Sequence, residues 1–539
     1  MHRRRVRLVL GVFVACASLI VAGAAGGARA KATAGTIVFG AEQEPPCLNG
    51  FLEGCNNTWT AWTAGIALAS PYLVYPDFSA RPYLGRGKLV KKRPMVLDVT
   101  LNKKARWSDG KPVSADDLIF TWKTIVNPRW ELAGRSGWDS ITRATKRSAK
   151  TVRFTFKTPY APWKIMLNTS VLPKHALEGE DFNSVWNNNY NNKQGGSMAS
   201  GPFKLQSYTR GQSIVMVRNS TFWGKRPSID KITFVFRTNT DTEIQAIRGG
   251  EVDAIYPQPQ LQLASLRGQS GLRVQTHQGA IIEHIDFNAG PRSSNPLLQQ
   301  RWFRQGIAYA LDRNAMVRQL FRTLNPSVRP LNNLTFVPQQ KAYYQPHFAK
   351  YKRSVAKVTA LFRAHGCSRG EDGIWSCAGR RASVKLGTTS GNRLRELAVE
   401  ILQAQAKSAG IEFKPDNQPS RLFFPRLSNE DYDLALFAWN TSGDPAGQVD
   451  IYGIGGGSNW KHYNNRTVTR LFKGSDAELN VKRRMSFNNR ADLILANDMV
   501  TLPLYQKPTY FVFKTKLHNL VDNATLQGPT WNTERWTAG

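Results

Sequence analysis

Acidic residues are scarce in this chain: 38 Asp and Glu stand against 73 Lys and Arg in 539 residues, a formal net charge of +35. A chain this basic is expected to sit near anionic lipid or cell-wall polymer and to favour acidic ligands, with a solvated basic surface as the simplest account. Nucleic acid, the other usual partner of a basic protein, finds no aromatic-interleaved recognition motif here. Cysteine is scarce too, with 5 residues and no CxxC…CxxC pattern, so no zinc module and no other metal centre is expected. Long apolar runs are missing after residue 25, which excludes a later membrane span. Enzyme signatures are missing as well: there is no nucleophile elbow, no HExxH and no dinucleotide fingerprint. Ser354–Lys357 and Ser228–Lys231 match SxxK without a KTG partner, which chance explains. His277 and His284 lie seven residues apart and read as ordinary surface or core residues rather than metal ligands. The expectation is a protein that is not an enzyme and carries no cofactor.

Residues 1–30 read as a targeting segment. Arg3, Arg4, Arg5 and Arg7 precede an apolar stretch over 8–25, and Ala28-Arg29-Ala30 is a small-residue cleavage site. Removing it takes away five arginines and no acids, so the charge becomes +30. Val14-Ala15-Cys16 partly matches a lipoprotein box, so simple cleavage near Ala30 and lipid anchoring through Cys16 are the two alternatives. The mature chain is expected to be exported, periplasmic or cell-surface associated. Its remaining cysteines form two close pairs, Cys47 with Cys55 and Cys367 with Cys377; among the three connectivities of four cysteines the local one is simplest.

At this length two or three lobes are expected. Thr36–Ala41, Met95–Leu101 and Thr151–Phe156 have strand composition, and Phe203–Tyr208 with Ser213–Arg218 reads as a hairpin around Gly211. Residues 182–196, rich in Asn, Ser and Gly, read as a surface excursion with little to bury. Leu298, Trp302, Ile307, Ala310 and Leu311 stripe an amphipathic helix in which Gly306 costs about 1 kcal/mol. Ser354–Ala364 and Arg393–Ala409 are further helices, the second stopped by Gly410. Tyr432–Ala438 is an apolar run of the buried, parallel type.

The stretch Ala105–Trp122, ARWSDGKPVSADDLIFTW, carries the most information. A turn at Ser108-Asp109-Gly110 leads through Pro112 to Ser114, an N-cap, with Asp117 completing a capping box. This pattern closely resembles the signature of the large extracytoplasmic solute-binding proteins of peptide- and nickel-type ABC importers. Two further blocks carry the same resemblance in family order: SGPFKLQSYTRGQSIVMVRNSTFWG at 200–224 and RWFRQGIAYALDR at 301–313.

The resemblance implies an α/β, two-lobed periplasmic-binding-protein-like fold with hinge strands. Its expected divisions are 31–288 for lobe I, with a subdomain inserted over roughly 60–200, 289–498 for lobe II, and 499–539 returning to lobe I. It implies capture of a small solute, peptide-like first, by a monomer that delivers it to an ABC permease. A sugar or metal chelate, a ligand-sensing role, and an exported hydrolase on the same fold are the alternatives. The implied ligand contacts are Glu42, Ser200, Asn288, Trp439, Asn440, Thr441, Ser442, Asp444 and Trp460. In the family's peptide binders an acid after the matching Trp receives the ligand's α-ammonium group. Here Ser442 stands about where that acid would be, and Asp444 matches a structural Asp-Pro.

Overall fold

The computed structural model describes residues 35–539 except 56, 420, 421, 424, 425, 428, 442 and 443. The expected leader, Cys16 and Ser442 lie outside the described residues. No described helix is long and apolar enough to cross a membrane.

Strand Thr36–Ala41 is central to a seven-stranded sheet, paired in parallel with Lys231–Phe236 and with Ala254–Ile255. Its alternation explains the placement: Ile37 and Phe39 are fully buried on one face, as period-two geometry requires. The Phe39 ring packs 5.6–6.3 Å from Trp59, Phe234, Phe511 and Trp536, which ties the start of the chain to its end. The hairpin Phe203–Thr209 and Ser213–Arg218 closes one edge of this sheet.

A four-stranded antiparallel sheet, Gly85–Lys92, Met95–Leu101, Thr151–Phe156 and Ile141–Ser148, forms a subdomain beside it. Helix Ala115–Val126 starts there as expected: Ser114 Oγ accepts from Asp117 N, and Asp117 Oδ2 accepts from Ser114 N at 2.7 Å. The 182–196 segment departs from expectation. Phe182, Trp186 and Tyr190 are buried, and Tyr190 Oη donates to Leu48 O at 2.9 Å. Three aromatics four residues apart anchor a polar loop against the loop closed by the first cysteine bridge, at Leu48 and Phe51, so the segment packs onto the first lobe rather than forming an excursion.

A second, five-stranded sheet runs Glu412–Pro415, Ser383–Gly387, Leu434–Asn440, Gln278–Phe287 and Thr501–Pro508. The chain therefore leaves the first sheet after Gln275 and returns to it at Phe511, not at 288 and 498. The polar connector after Asn288 marks the far end of a second-sheet strand instead of the crossing. Leu434–Asn440 is a mixed strand: it pairs in parallel with Ser383–Gly387, at Leu386↔Leu434 and Gly387↔Ala435, and antiparallel with Gln278–Phe287 along its length. Burial on both faces, which a central strand of a mixed sheet also has, accounts for the continuous apolar run.

Helices Arg301–Ala310, Val355–Ala364 and Arg393–Ser408 cover this sheet. A Cβ at Gly306 would lie 2.3 Å from Phe362 Cε2, so the helices meet at that glycine and an alanine would clash. Both expected disulfides form, Cys47–Cys55 and Cys367–Cys377, the latter across paired positions of a hairpin.

Candidate functional site

Helix Thr58–Ala67, capped by Asn57 Oδ1 accepting from Thr60 N at 2.7 Å, faces a cavity of about 560 Å³. Its Ala61, Trp62 and Gly65 form one wall. The C-terminal segment 526–534 forms another, held by Trp62 Nε1 donating to Leu526 O at 3.1 Å and Thr530 Oγ1 donating to Trp62 O at 3.2 Å. Gly528 has φ +62°, and a Cβ there would lie 2.1 Å from the Trp62 ring, so glycine is what lets this segment close on the helix. Trp138 and Tyr160 enter from the subdomain side. Asn440, the last residue of strand Leu434–Asn440, and Ala446 and Gly447 beyond it enter from the second lobe. Ligands of α/β sheets sit beyond such strand ends.

Charge in this cavity is sparse. Among the described lining residues there is no Lys, Arg, His or Asp, and Glu534 is the one carboxylate. Burial, above all, pushes the Glu534 carboxyl above its ordinary value, opposed by Arg535 and backbone hydrogen bonding. At the rim the lobes touch: Ala161 N donates to Asp476 O at 2.7 Å. Asp476 is pushed up to about 7 by burial and then by the charge of Asp450. Asp450 is raised by burial and then by Asp139 across the rim, with Ser136 opposing.

Among the described residues, one of the sequence-predicted contacts, Asn440, lies on the cavity wall. Trp439 and Trp460 lie 5.4 Å apart in an aromatic cluster with Phe437, and His284 stacks on Trp439 at 6.1 Å. Trp439→Ala is accordingly expected to lower stability by about 1–3 kcal/mol in a denaturant titration while leaving solute affinity unchanged. Ser200 is fully buried, its Oγ accepting from Ala69 N at 3.0 Å. Asn288, also buried, donates to Glu430 O and Tyr432 O at 2.9 and 2.8 Å. Thr441 N donates to Ala280 O, and Asp444 receives Arg484 in a two-pronged ion pair. Glu42 sits near the lobe crossing and accepts from Gln258 Nε2 at 2.8 Å, with Lys507 Nζ donating to Gln258 Oε1 at 2.7 Å.

His277 Nδ1 lies 2.8 Å from Asp522, and His284 is enclosed. Among the described residues no three His, Cys, Asp or Glu converge as metal ligands.

Two sheet-centred lobes, a double crossover and a cavity walled by both define a solute-binding protein of the two-lobed kind. The family model described as bacterial extracellular solute-binding proteins, family 5 Middle, matches residues 90–461, and the chain belongs to that family. It is 26% identical over 496 residues to the oligopeptide-binding protein OppA of Mycobacterium tuberculosis, covering 88% of this chain and 80% of the relative. Its fold matches the periplasmic EDTA-binding protein EppA with TM-score 0.86 at 22% identity, over 94% of this chain and 97% of that one. It also matches the oligopeptide-binding protein AppA of Bacillus subtilis in complex with a nonapeptide, with TM-score 0.79 at 21% identity, over 94% and 99%. The mixed α/β, two-lobed architecture expected from the sequence is the architecture of these proteins.

Proposed function

We propose that this protein is the extracytoplasmic substrate-binding component of an ABC importer, capturing a small solute between its lobes and passing it to a membrane permease without catalysis. The cavity walled by both lobes carries this reading. A solute there touches the first lobe through Trp62 and the second through Asn440, so its binding free energy favours closure directly. At about 560 Å³ the cavity falls within the range of small-molecule sites and suits a compact, peptide-like solute. A non-peptide ligand is the second reading. It is favoured by Asp444, whose carboxylate is engaged by Arg484 rather than presented to an α-ammonium group.

Native mass spectrometry of gently purified protein, with release of whatever is bound, tests the reading. Ala61 is exposed on the cavity side of its helix, so Ala61→Trp fills the space without displacing core. It is expected to lower affinity for the released solute at least about tenfold, with an unchanged melting temperature in ligand-free protein. Unaltered affinity in this variant would place the solute elsewhere.

A further inference from the structure

The cavity and its rim carry a charge opposite to that of the protein. In a chain of net +35, the only charged group on the described lining is Glu534. Its Oε2 is buried with no hydrogen-bond partner among the described residues, and its Oε1 lies 3.5 Å from the Nε of Arg535, a side chain 60% exposed. Asp139, Asp450 and Asp476 cluster at the rim beside Tyr160. Two nearby cations already hold partners elsewhere through their terminal nitrogens, Arg484 on Asp444 and Arg135 on the carbonyls of Asn127 and Trp130, and the cation beside Glu534 is the exposed Arg535. The surrounding walls are aromatic, with Trp62, Tyr83, Tyr160 and Trp531.

We propose that the solute held in this cavity is a cation: a protonated amine or guanidinium on a largely apolar body, bearing no free carboxylate. This rests on the interlobe-binding reading above and sets the charge class of its ligand. A buried carboxylate oxygen without a partner is costly, and an N–H⁺ donor supplies what it lacks. Ring faces stabilise the same cation by their quadrupoles. A carboxylate-bearing solute would meet no lysine or arginine on the lining and would face Glu534 and the rim acids. The basic surface therefore does not forecast an acidic ligand: surface charge and cavity charge are set by different residues.

The test uses the mature full-length protein and three matched probes, leucyl-phenylalaninamide and its N-acetyl and N-succinyl derivatives, in calorimetric titrations. These share one apolar body and carry a positive, zero and negative charge. The cationic probe is expected to bind at least about tenfold more tightly than the acetylated one, and the succinylated probe more weakly than both. Glu534→Gln is expected to remove most of the cationic preference and leave the acetylated probe's affinity in place. Glu534→Asp, which keeps the charge, should retain part of the preference and serves as the folding control.

Equal or tighter binding of the neutral or anionic probe overturns the proposal, as does a preference untouched by Glu534→Gln, or no binding of the cationic probe. Ala61→Trp separates the two levels. If it blocks whichever probe binds, the cavity reading stands even where the charge class fails; if binding survives it, the cavity reading itself falls.

Discussion

Lys461→Met is expected to destabilise the second lobe by about 3–5 kcal/mol, measured as a shift in the urea midpoint at unchanged slope. Lys461 is fully buried and donates to Asp286 Oδ2 at 3.0 Å; Asp286 is 1% exposed. Thr501 Oγ1 donates to the other carboxylate oxygen at 2.5 Å, and His284 Nε2 stands 3.8 Å from it. Methionine keeps most of the volume of lysine, so packing changes little and the loss is electrostatic. Asp286 is left in an apolar interior with one hydroxyl as its hydrogen-bond donor.

The same reasoning sets the control. Removing both charges in Lys461→Met/Asp286→Leu is expected to recover much of the loss, because a buried pair costs desolvation on both sides. A single variant within about 1 kcal/mol of the parent would show that water reaches Asp286 and that the pair is not isolated.

Local structure was legible in the sequence wherever one short-range signal decided it. Ser114 and Asp117 cap their helix whatever lies around them, and Gly211 allows one hairpin. The cysteine pairs are close enough in sequence that the local bridges are the ones formed.

The candidate site was less legible, for two physical reasons. Trp439 and Asn440 are neighbours on a strand, and period-two geometry sends them to opposite faces, so both cannot line one cavity. The aromatic cluster took Trp439 and the cavity took Asn440. Segment 526–534 gave no periodic signal at all. Its place is set by Gly528 closing on Trp62, a contact between residues more than 460 apart in the chain. Glu534, the cavity's carboxylate, could not be singled out among 38 acids without that contact.

The difference in stability between the ligand-free parent and Asp476→Asn is expected to change with pH, with the parent losing ground as pH rises from about 4 to about 7. Asp476 is pushed up to about 7 from an ordinary value of 3.8, by burial first and Asp450 second. A group raised in the folded state holds its proton more tightly there than in the unfolded chain. Its contribution is therefore complete below the unfolded value and gone once pH passes the folded one. A rise of this size corresponds to at most about 4 kcal/mol, and solvent at the rim brings the expectation to roughly 2–4 kcal/mol.

Asparagine mimics the neutral form at every pH, so carboxylates held low elsewhere, such as Asp98 beside Arg153, cancel in the difference. The charged and titratable groups that act on Asp476 are Asp450 and Tyr160; Asp139 acts on both of these, and Arg484, held by Asp444, acts on Tyr160. A difference curve flat with pH would mean that Asp476 is solvated and that the contact through Ala161 N opens in the absence of solute. The slope also links to the ligand. A saturating cation beside these acids favours their ionised forms, so the cationic probe should flatten the parent's curve toward that of the variant, and the N-acetyl probe should leave it as it is.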